Sequence, residues 1–319
     1  MKILVVGGAG YIGSRLIPEL VRAGHEIVVV DQLWFGNYLP AAVRVVQQDS
    51  LSLRADFMRG FDAVIFLAGL SNDPMAEYSP HLNFIANASA PAHAAYLAKH
   101  AGVKRFIYAD SCSVYGFTDG EEIDENYAPR GVYPYSISKL QGGLGALQLI
   151  DRNFSVICLR QGTLSGFSPR MRFDLFINTM YMKAVTENKI TVNNPAIWRP
   201  LLAISDAVEA YLKALEAPLG INGVFNVASA NFQVGEAADK VKDYFGRKHG
   251  AEVKLEINNT PDIRNYRVSN KKAKEVLGIN FQGSVENVLE ELDKCLGKNF
   301  NFDQDRFYNI KIFKKLFKE

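Results

Sequence analysis

Two side chains near the middle of the chain have the residue types and the spacing of an acid–base pair. They are Tyr135 and Lys139, which share one face if residues 135–150 form a helix, as their pattern predicts. A free phenol has a pKa of about 10, and a lysine ammonium one turn away stabilises its phenolate. Ser111 follows a predicted strand over residues 103–109 and is placed to hydrogen-bond the reacting oxygen. These three residues are therefore predicted to take a proton from a substrate hydroxyl.

The elements that would position this pair begin at the N-terminus. Residues 2–6 are a short β-branched apolar run, typical of a strand buried on both faces. A glycine turn follows over residues 7–13, residues 14–23 have helical periodicity, and residues 26–30 form a second apolar run that ends on Asp31. Strand, glycine turn, helix, strand and acid is the arrangement of a dinucleotide site. This context favours a ligand-binding glycine turn over a tight turn without a ligand. It also favours catalytic roles for Ser111 and Lys139 over the alternatives of a capping serine and a solvated lysine.

The physical chemistry of that arrangement predicts which atoms meet the dinucleotide. Glycines permit positive φ and let the backbone approach a diphosphate, whose charge is favoured by the N–H groups and dipole at a helix N-terminus. The carboxylate of Asp31 can accept both ribose hydroxyls and would repel a 2′-phosphate, and no arginine adjoins it in the sequence, so NAD is expected rather than NADP. Lys139 can also hydrogen-bond the nicotinamide ribose. The predicted contacts from this first segment are Gly7, Gly10, Tyr11, Ile12, Gly13 and Asp31.

Further strands and helices alternate as far as residue 160, which predicts a Rossmann-type, doubly wound parallel sheet of the α/β class. Strands are predicted over residues 43–47, 61–67, 103–109 and 154–159, and helices over residues 81–100 and 135–150. Asp49, just beyond one strand, could hydrogen-bond the adenine amine or could cap a helix; Ser50 follows it. Ala68 and Gly69 are small enough for a backbone to pass beside a cofactor.

The pattern loosens after residue 162, and we expect two units: a NAD-binding domain over residues 1–162 and a smaller mixed substrate-binding lobe over residues 163–319. This lobe is expected to be interleaved with the last strands of the sheet. Short strands are predicted over residues 190–192 and 223–227, and helices over residues 175–184, 205–215, 235–245 and 285–296. The basic, amphipathic run over residues 310–318 fits either a membrane-surface helix or a terminal helix that packs on the protein with solvated lysines.

Composition excludes several other classes of protein. The 319 residues are 48% hydrophobic, and 36 basic residues against 34 acidic ones give a net charge of +2, so no nucleic acid partner is expected. Three widely spaced cysteines predict neither disulfides nor a metal site. The sequence contains no apolar run of membrane-spanning length and begins without a signal-like segment, so a cytoplasmic protein without membrane insertion is expected.

The chain resembles the extended short-chain dehydrogenase/reductases, the NAD-dependent epimerases and dehydratases of nucleotide sugars, over nearly its whole length. The motifs that carry the resemblance are the glycine turn with Asp31, Asn87, Ser111–Gly116, Tyr135–Lys139, Leu159–Gly166, Trp198–Pro200, Gly223–Val227 and Pro261–Arg264. The resemblance implies a nucleoside diphosphate sugar as substrate, with NAD held through each turnover and Asn87 added to the cofactor site. It also implies substrate contacts by Ser111, Cys112, Ser113, Thr163, Arg172, Arg199 and Arg264. The alternative for Arg199 and Arg264 is a surface ion pair.

Departures from the family's motifs narrow the expected reaction. The dehydratase branch has an Asp-Glu pair directly after the catalytic hydroxyl residue, where this chain has Cys112 and Ser113, neither able to eliminate water. Thr163 replaces an asparagine of another branch, and residues 169–174 resemble a subset from surface-polysaccharide pathways that includes epimerases and a C4 oxidase. We expect a C4 epimerase with a 4-keto intermediate; the alternative is net oxidation or reduction at C4, for example of a GDP-heptose. A homodimer is also expected, both from the resemblance and from the many small residues over 86–98.

Overall fold

A seven-stranded sheet, parallel throughout, forms the centre of the protein. The computed structural model describes residues 1–259, 264–297 and 299–318. With strands numbered along the described chain, the sheet contains β1 (Lys2–Val6), β2 (Glu26–Asp31), β3 (Arg44–Gln47), β4 (Ala63–Phe66), β5 (Arg105–Ser111), β7 (Ser155–Gln161) and β11 (Gly223–Val227). Their order is β11-β7-β5-β4-β1-β2-β3. From β1 the strand numbers increase toward both edges of the sheet, so the order of the strands changes direction beside β1. This is the strand order of a doubly wound fold, as predicted.

Helices cover both faces of this sheet. They are α1 (Gly13–Arg22), α2 (Ala55–Met58), α3 (Asp73–Tyr78), α4 (Pro80–Phe84), α5 (Ala90–His100), α6 (Pro134–Leu147), α7 (Phe176–Glu187), α8 (Ile204–Glu216), α9 (Val234–His249), α10 (Lys271–Leu277), α11 (Val285–Leu296) and α12 (Asn309–Leu316). Alternate residues of β1 enter opposite cores: Ile3 and Val5 pack on the side of α1, and Leu4 and Val6 on the side of α5. Because both faces are buried, the strands are continuously apolar.

The predicted helix over residues 81–100 is interrupted. Between α4 and α5 the chain makes a π-helical turn, Ile85–Ser89, which carries the buried Asn87. Single π-turns inside helices are frequent at functional sites, because they redirect one side chain. Here the turn allows the Asn87 amide to donate to the carbonyl of Leu70 at 2.8 Å.

The remaining strands form three small sheets, most of which the sequence analysis did not predict. β10 (Trp198–Ala203) pairs with β8 (Thr163–Ser165) and with β12 (Ala230–Gln233); β9 (Lys189–Asn193) pairs with β13 (Lys254–Asn258); and β6 (Phe117–Ile123) pairs with β14 (Asn265–Val268). Only the position of β9 was expected among these seven. The others are short or polar, and their partners lie far away in the sequence.

The basic run at the C-terminus is the packed terminal helix rather than a membrane-surface helix. The side chain of Phe313, on α12, is fully buried against Leu70 and Met75, whereas the lysines of this helix remain exposed. No helix of the described chain is long and apolar enough to span a membrane.

Candidate active site

A deep cavity lies beyond the carboxyl ends of β1, β2, β4, β5 and β7, where parallel strands of this fold class bind ligands. The glycine turn forms one wall and α6 a second, and the segment after β7 together with Arg199 and Arg264 completes the lining. All of the predicted site residues except Asp49 and Cys112 line this cavity. Of the motif over residues 261–264, only Arg264 belongs to the described residues.

The glycine turn is a cradle that side chains would fill. Gly7 has φ of +80°, and a Cβ there would overlap the backbone of Ala68. A Cβ at Gly13 would overlap the backbone of Gly8, so helix α1 packs directly on the turn. At Gly10 a Cβ would meet only the Gly7 carbonyl, at 3.3 Å. The backbone at Gly10 is therefore open for close approach by a phosphate group.

Asp31 ends β2 with its carboxylate turned back toward the glycine turn. Its Oδ2 accepts from the N–H of Ala9 at 2.9 Å, and Oδ1 accepts from the N–H of Leu33 at 2.8 Å. Each oxygen keeps a free lone pair for a ribose hydroxyl. Burial raises the pKa of Asp31, while these two hydrogen bonds and the positive charge of Arg170 lower it. The fold thus places an arginine near Asp31 that the sequence alone did not reveal.

We predict that NAD binds roughly a hundredfold more tightly than NADP. A 2′-phosphate would meet the Asp31 carboxylate, and a like-charge contact in a buried site costs several kcal/mol. Titration of the purified protein with both dinucleotides measures the ratio. Equal or tighter binding of NADP would mean that the attraction between Arg170 and the 2′-phosphate exceeds the repulsion by Asp31.

Of the two roles predicted for Asp49, an adenine contact and a helix cap, the structure shows the cap. Its Oδ1 accepts from the N–H of Leu51 at 2.8 Å at the start of the short 3₁₀ turn Ser50–Ser52, and Oδ2 accepts from the Gln32 amide at 2.8 Å. Asp49 does not line the cavity, whereas Ser50 does. The structure therefore shows the cap, and a contact of Asp49 with the adenine amine stays a prediction.

Gly69 and Asn87 narrow the cavity on the side of Lys139. A Cβ at Gly69 would overlap the side-chain oxygen of Asn87 and would come within 4.0 Å of the Lys139 ammonium nitrogen. The Asn87 amide donates to Leu70 and Asn83, but its buried oxygen accepts no hydrogen bond from any described residue. An unsatisfied acceptor beside a buried ammonium is suited to hold a polar ligand.

Ser111, Tyr135 and Lys139 come together at the carboxyl end of β5. Ser111 is the last residue of that strand, and Tyr135 and Lys139 stand one turn apart at the start of α6. The Ser111 hydroxyl is close enough to the Tyr135 phenol to lower the pKa of that phenol, and it lies 2.9 Å from the Ser113 hydroxyl. The Lys139 ammonium is buried, 4.5 Å from the centroid of the Tyr108 ring.

The acidities of this pair depend chiefly on burial. Burial raises the pKa of Tyr135 to about 12, although the hydrogen bond from Ser111 and the charge of Arg172 act in the opposite direction. Burial lowers the pKa of Lys139 to about 8, although the carboxylate of Asp110 favours its charged form. At neutral pH the lysine is therefore an ammonium and the tyrosine a neutral phenol. The charges of the protein alone therefore do not lower the pKa of the Tyr135 phenol toward neutral pH, contrary to what the spacing of Tyr135 and Lys139 suggested.

A buried ion pair between Arg160 and Asp110 lies directly beside Ser111. Neither residue was predicted from the sequence to belong to the site. The guanidinium of Arg160 donates from Nε to Asp110 at 2.9 Å, and Asp110 also accepts from the Ser111 N–H at 2.8 Å. Arg160 reaches the Tyr115 hydroxyl at 3.0 Å from its other side. Two opposite charges in otherwise apolar neighbouring strands were the available signal for this pair.

Cys112 belongs to this supporting layer and not to the substrate site. It is fully buried, and its thiol donates to the carbonyl of Arg160 at 3.1 Å. Burial also raises the pKa of the thiol. The predicted substrate contact at Cys112 is therefore wrong, while Ser113 and Thr163 do line the cavity.

The three arginines predicted to contact the substrate, Arg172, Arg199 and Arg264, all line the cavity. Arg172 is buried and forms a two-pronged ion pair with Asp174 at 2.9 and 3.0 Å. Arg264 pairs with Asp73 of α3, and the guanidinium of Arg199 donates to the backbone carbonyl of Arg264. Arg199 and Arg264 are thus neighbours although 65 residues separate them. Together they make this wall positively charged.

Comparison with known proteins agrees with this geometry. Residues 3–228 match the model of the NAD dependent epimerase/dehydratase family. The UDP-glucose 4-epimerase of Bacillus subtilis (strain 168) is 25% identical, with 94% of this chain and 98% of that protein covered. The UDP-glucose 4-epimerase of Streptococcus mutans serotype c is 29% identical, with 87% of this chain and 91% of that protein covered. Among solved structures, MoeE5 in complex with UDP-glucuronic acid and NAD superposes with a TM-score of 0.80 at 26% identity, covering 91% of this chain and 97% of MoeE5.

Proposed function

Since the chain belongs to the NAD-dependent epimerase/dehydratase family and is an NAD-dependent enzyme of the extended short-chain dehydrogenase/reductase type, we propose that it is a C4 epimerase of a nucleoside diphosphate sugar. One observation carries the proposal. Ser111, Tyr135 and Lys139 meet at the cavity, and the positions that hold an acid pair in dehydratases are a buried thiol and the Ser113 hydroxyl. The nearby carboxylates of Asp73 and Asp174 are engaged by Arg264 and Arg172.

The proposed chemistry begins with a proton transfer. As the phenolate, Tyr135 accepts the proton of the sugar C4 hydroxyl while Ser111 hydrogen-bonds the same oxygen. Oxidised NAD, when bound, would supply the hydride acceptor and the positive charge that favours this phenolate. Lys139 keeps its proton at neutral pH and stabilises the phenolate that the reaction needs. When the keto-sugar turns over in the cavity, Tyr135 returns its proton to the C4 oxygen, and the bound cofactor would supply to the opposite face of C4 the hydride it had taken up.

The substrate is proposed to be a UDP-sugar, because the relatives named above carry that class in their names. Residues 1–162 would hold the cofactor, and residues 163–319 would contribute Thr163, Arg172, Arg199 and Arg264 to the substrate side. An arginine-lined wall suits the diphosphate of such a substrate. A role in the synthesis of surface polysaccharides is the corresponding biological proposal.

The test is to incubate the enzyme with UDP- and GDP-hexoses and heptoses and to follow the products by NMR. Absorbance of reduced nicotinamide is recorded in the same samples. Interconversion of a C4 pair without lasting absorbance supports the proposal. Stoichiometric accumulation of reduced cofactor, or a requirement for a second oxidant such as a keto acid, would replace it with net redox chemistry at C4.

We also propose a homodimer formed through α5 and α6, but on different residues from those first considered. The small residues over 86–98 are mostly buried: Ala94, Ala95 and Ala98 pack in the core between helix and sheet. The outer surface of the same helices and of the adjoining α4 instead exposes large apolar side chains, namely Phe84, Tyr96, Ile137 and Leu144, which are 43–56% exposed. Such a patch is typical of an interface.

Light scattering at micromolar concentration is expected to give twice the mass of the chain. The Leu144→Glu variant should shift the protein to the monomeric mass, because it places a charge in the apolar patch. Val276→Glu on α10, where the side chain is 43% exposed outside this patch, is the matched control and should leave the mass unchanged. A monomeric wild-type protein would contradict the proposal.

A further inference from the structure

Arg170 is a buried cation whose charge no contact fully balances. Its side chain is 3% exposed, and the guanidinium carbon lies 3.7 Å from the centroid of the Phe35 ring. One terminal nitrogen donates to the side-chain oxygen of Asn309 and the other to the carbonyl of Met171 at 3.4 Å. Its Nε has no hydrogen-bond partner within the described part of the chain. A desolvated guanidinium with neutral partners is strongly stabilised by an incoming anion.

The charged groups around Arg170 also leave its positive charge without a paired anion. Burial, together with the charge of neighbouring Arg172, lowers the pKa of Arg170 to about 9, although carboxylates including Asp174 and Asp31 act in the opposite direction. Asp174 is already bound through both oxygens to Arg172, and Asp31 accepts two backbone hydrogen bonds. Neither carboxylate forms an ion pair with Arg170 in the described structure.

Arg170 lines the cofactor cavity, where its charge acts on Asp31 and on Arg172, and the charge of Arg172 in turn acts on Tyr135. Asp31 and Phe35 stand on the side of the adenosine ribose, and Tyr135 and Lys139 stand on the side of the reacting ring. The diphosphate is the anionic group that joins those two halves. We propose that Arg170 binds the diphosphate of NAD and that Asn309, on the C-terminal helix, positions it.

The C-terminal helix reaches this site by a firmly packed route. Asn309 also donates to the Ser71 hydroxyl at 2.7 Å, which fixes the amide that Arg170 contacts. One helical turn later Phe313 fills a pocket between Leu70 and Met75, in contact with the ring of Trp34. The end of the chain thus closes one side of the cofactor cavity, and cofactor retention depends on it.

Ligand binding to an Arg170→Met variant tests the first part of the proposal. After removal of bound nucleotide with charcoal, calorimetry should show that affinity for NAD and ADP-ribose falls roughly 10- to 100-fold, the size of one charge-assisted hydrogen bond. Affinity for adenosine, which has no phosphate, should stay within about twofold. Arg152→Met, which removes an exposed arginine outside the cavity, is the matched control and should bind all three ligands normally.

Three results would overturn this assignment. Equal losses for adenosine and ADP-ribose would show that Arg170 only supports the fold, and loss confined to NADP would assign it to a 2′-phosphate. If Arg170→Met does not fold, Arg170→Lys keeps the charge. That variant should show a weaker loss for ADP-ribose, and unchanged affinity for ADP-ribose with a lost affinity for adenosine would contradict the proposal.

The rate at which NAD dissociates tests the role of the C-terminal helix. Asn309→Ala and Phe313→Ala should each release bound NAD on the order of tenfold faster than wild type, and less NAD should co-purify with them. Leu316→Ala, at a side chain that is 50% exposed on the same helix, should release it at the wild-type rate. Unchanged dissociation in both test variants would contradict a positioning role for Asn309.

Discussion

Replacing Tyr135 by phenylalanine should lower turnover roughly 10²- to 10⁴-fold, the range typical of a general acid–base group. The substitution removes only the hydroxyl, and the ring keeps its half-buried position near Ser111 and Arg172. NAD binding should therefore be retained. Steady-state kinetics on the sugar substrate, together with the NAD content of the purified variant, measure both quantities.

Tyr127→Phe is the matched control, because that phenol lies outside the cavity and should leave turnover unchanged. Lys139→Ala is expected to impair turnover and NAD binding together, since Lys139 and Tyr135 line the cofactor cavity one helical turn apart. A Tyr135→Phe enzyme with undiminished turnover would remove Tyr135 from the mechanism.

Replacing Arg160 by methionine should lower the free energy of unfolding by about 3–5 kcal/mol, because it leaves the buried Asp110 carboxylate without its partner. Both side chains are nearly inaccessible, 5% and 2% exposed. Arg160 additionally hydrogen-bonds Tyr115, which in turn donates to Asn226 on β11 at 2.8 Å. Urea unfolding of the wild-type and variant proteins measures the loss.

The matched control is Arg59→Met, which removes an arginine from the exposed ion pair with Asp56 and should cost less than about 1 kcal/mol. Neutralising both partners, in Asp110→Asn combined with Arg160→Met, should recover part of the stability lost in the single variant. Equal unfolding free energies for Arg160→Met and Arg59→Met would contradict the buried ion pair as a source of stability.

The parts of the site that lie close together in the sequence were predictable. The glycine turn and Asp31 belong to one strand–helix–strand unit, and Tyr135 and Lys139 are one helical turn apart. Local rules of helix and strand geometry fix such arrangements, so spacing alone indicates them. The parallel sheet followed for the same reason, since its strands are apolar runs separated by helices.

The parts that depend on distant residues were not predictable. Asn309 meets Arg170 across 139 residues, and no local pattern at either position indicates that contact. β6 and β14 pair with each other although they lie far apart in the chain. β6 is polar and lacks the alternation that marks a strand, and β14 alternates over only four residues, which is too short a pattern to predict a strand by itself. The role of Asp49 is local by contrast: its Oδ1 caps the turn Ser50–Ser52, an interaction that the sequence offered as one of two alternatives, and its Oδ2 accepts from the Gln32 amide.

The fate of the hydrogen at C4 tests the central claim most directly. A UDP-sugar labelled with deuterium at C4 is converted by the enzyme, and the product is analysed by NMR and mass spectrometry. Removal and return of one hydride within a single active site predicts a product of inverted configuration that keeps its deuterium at C4. Deuterium lost to solvent, or accumulating in released reduced nicotinamide, would contradict C4 epimerisation by this enzyme.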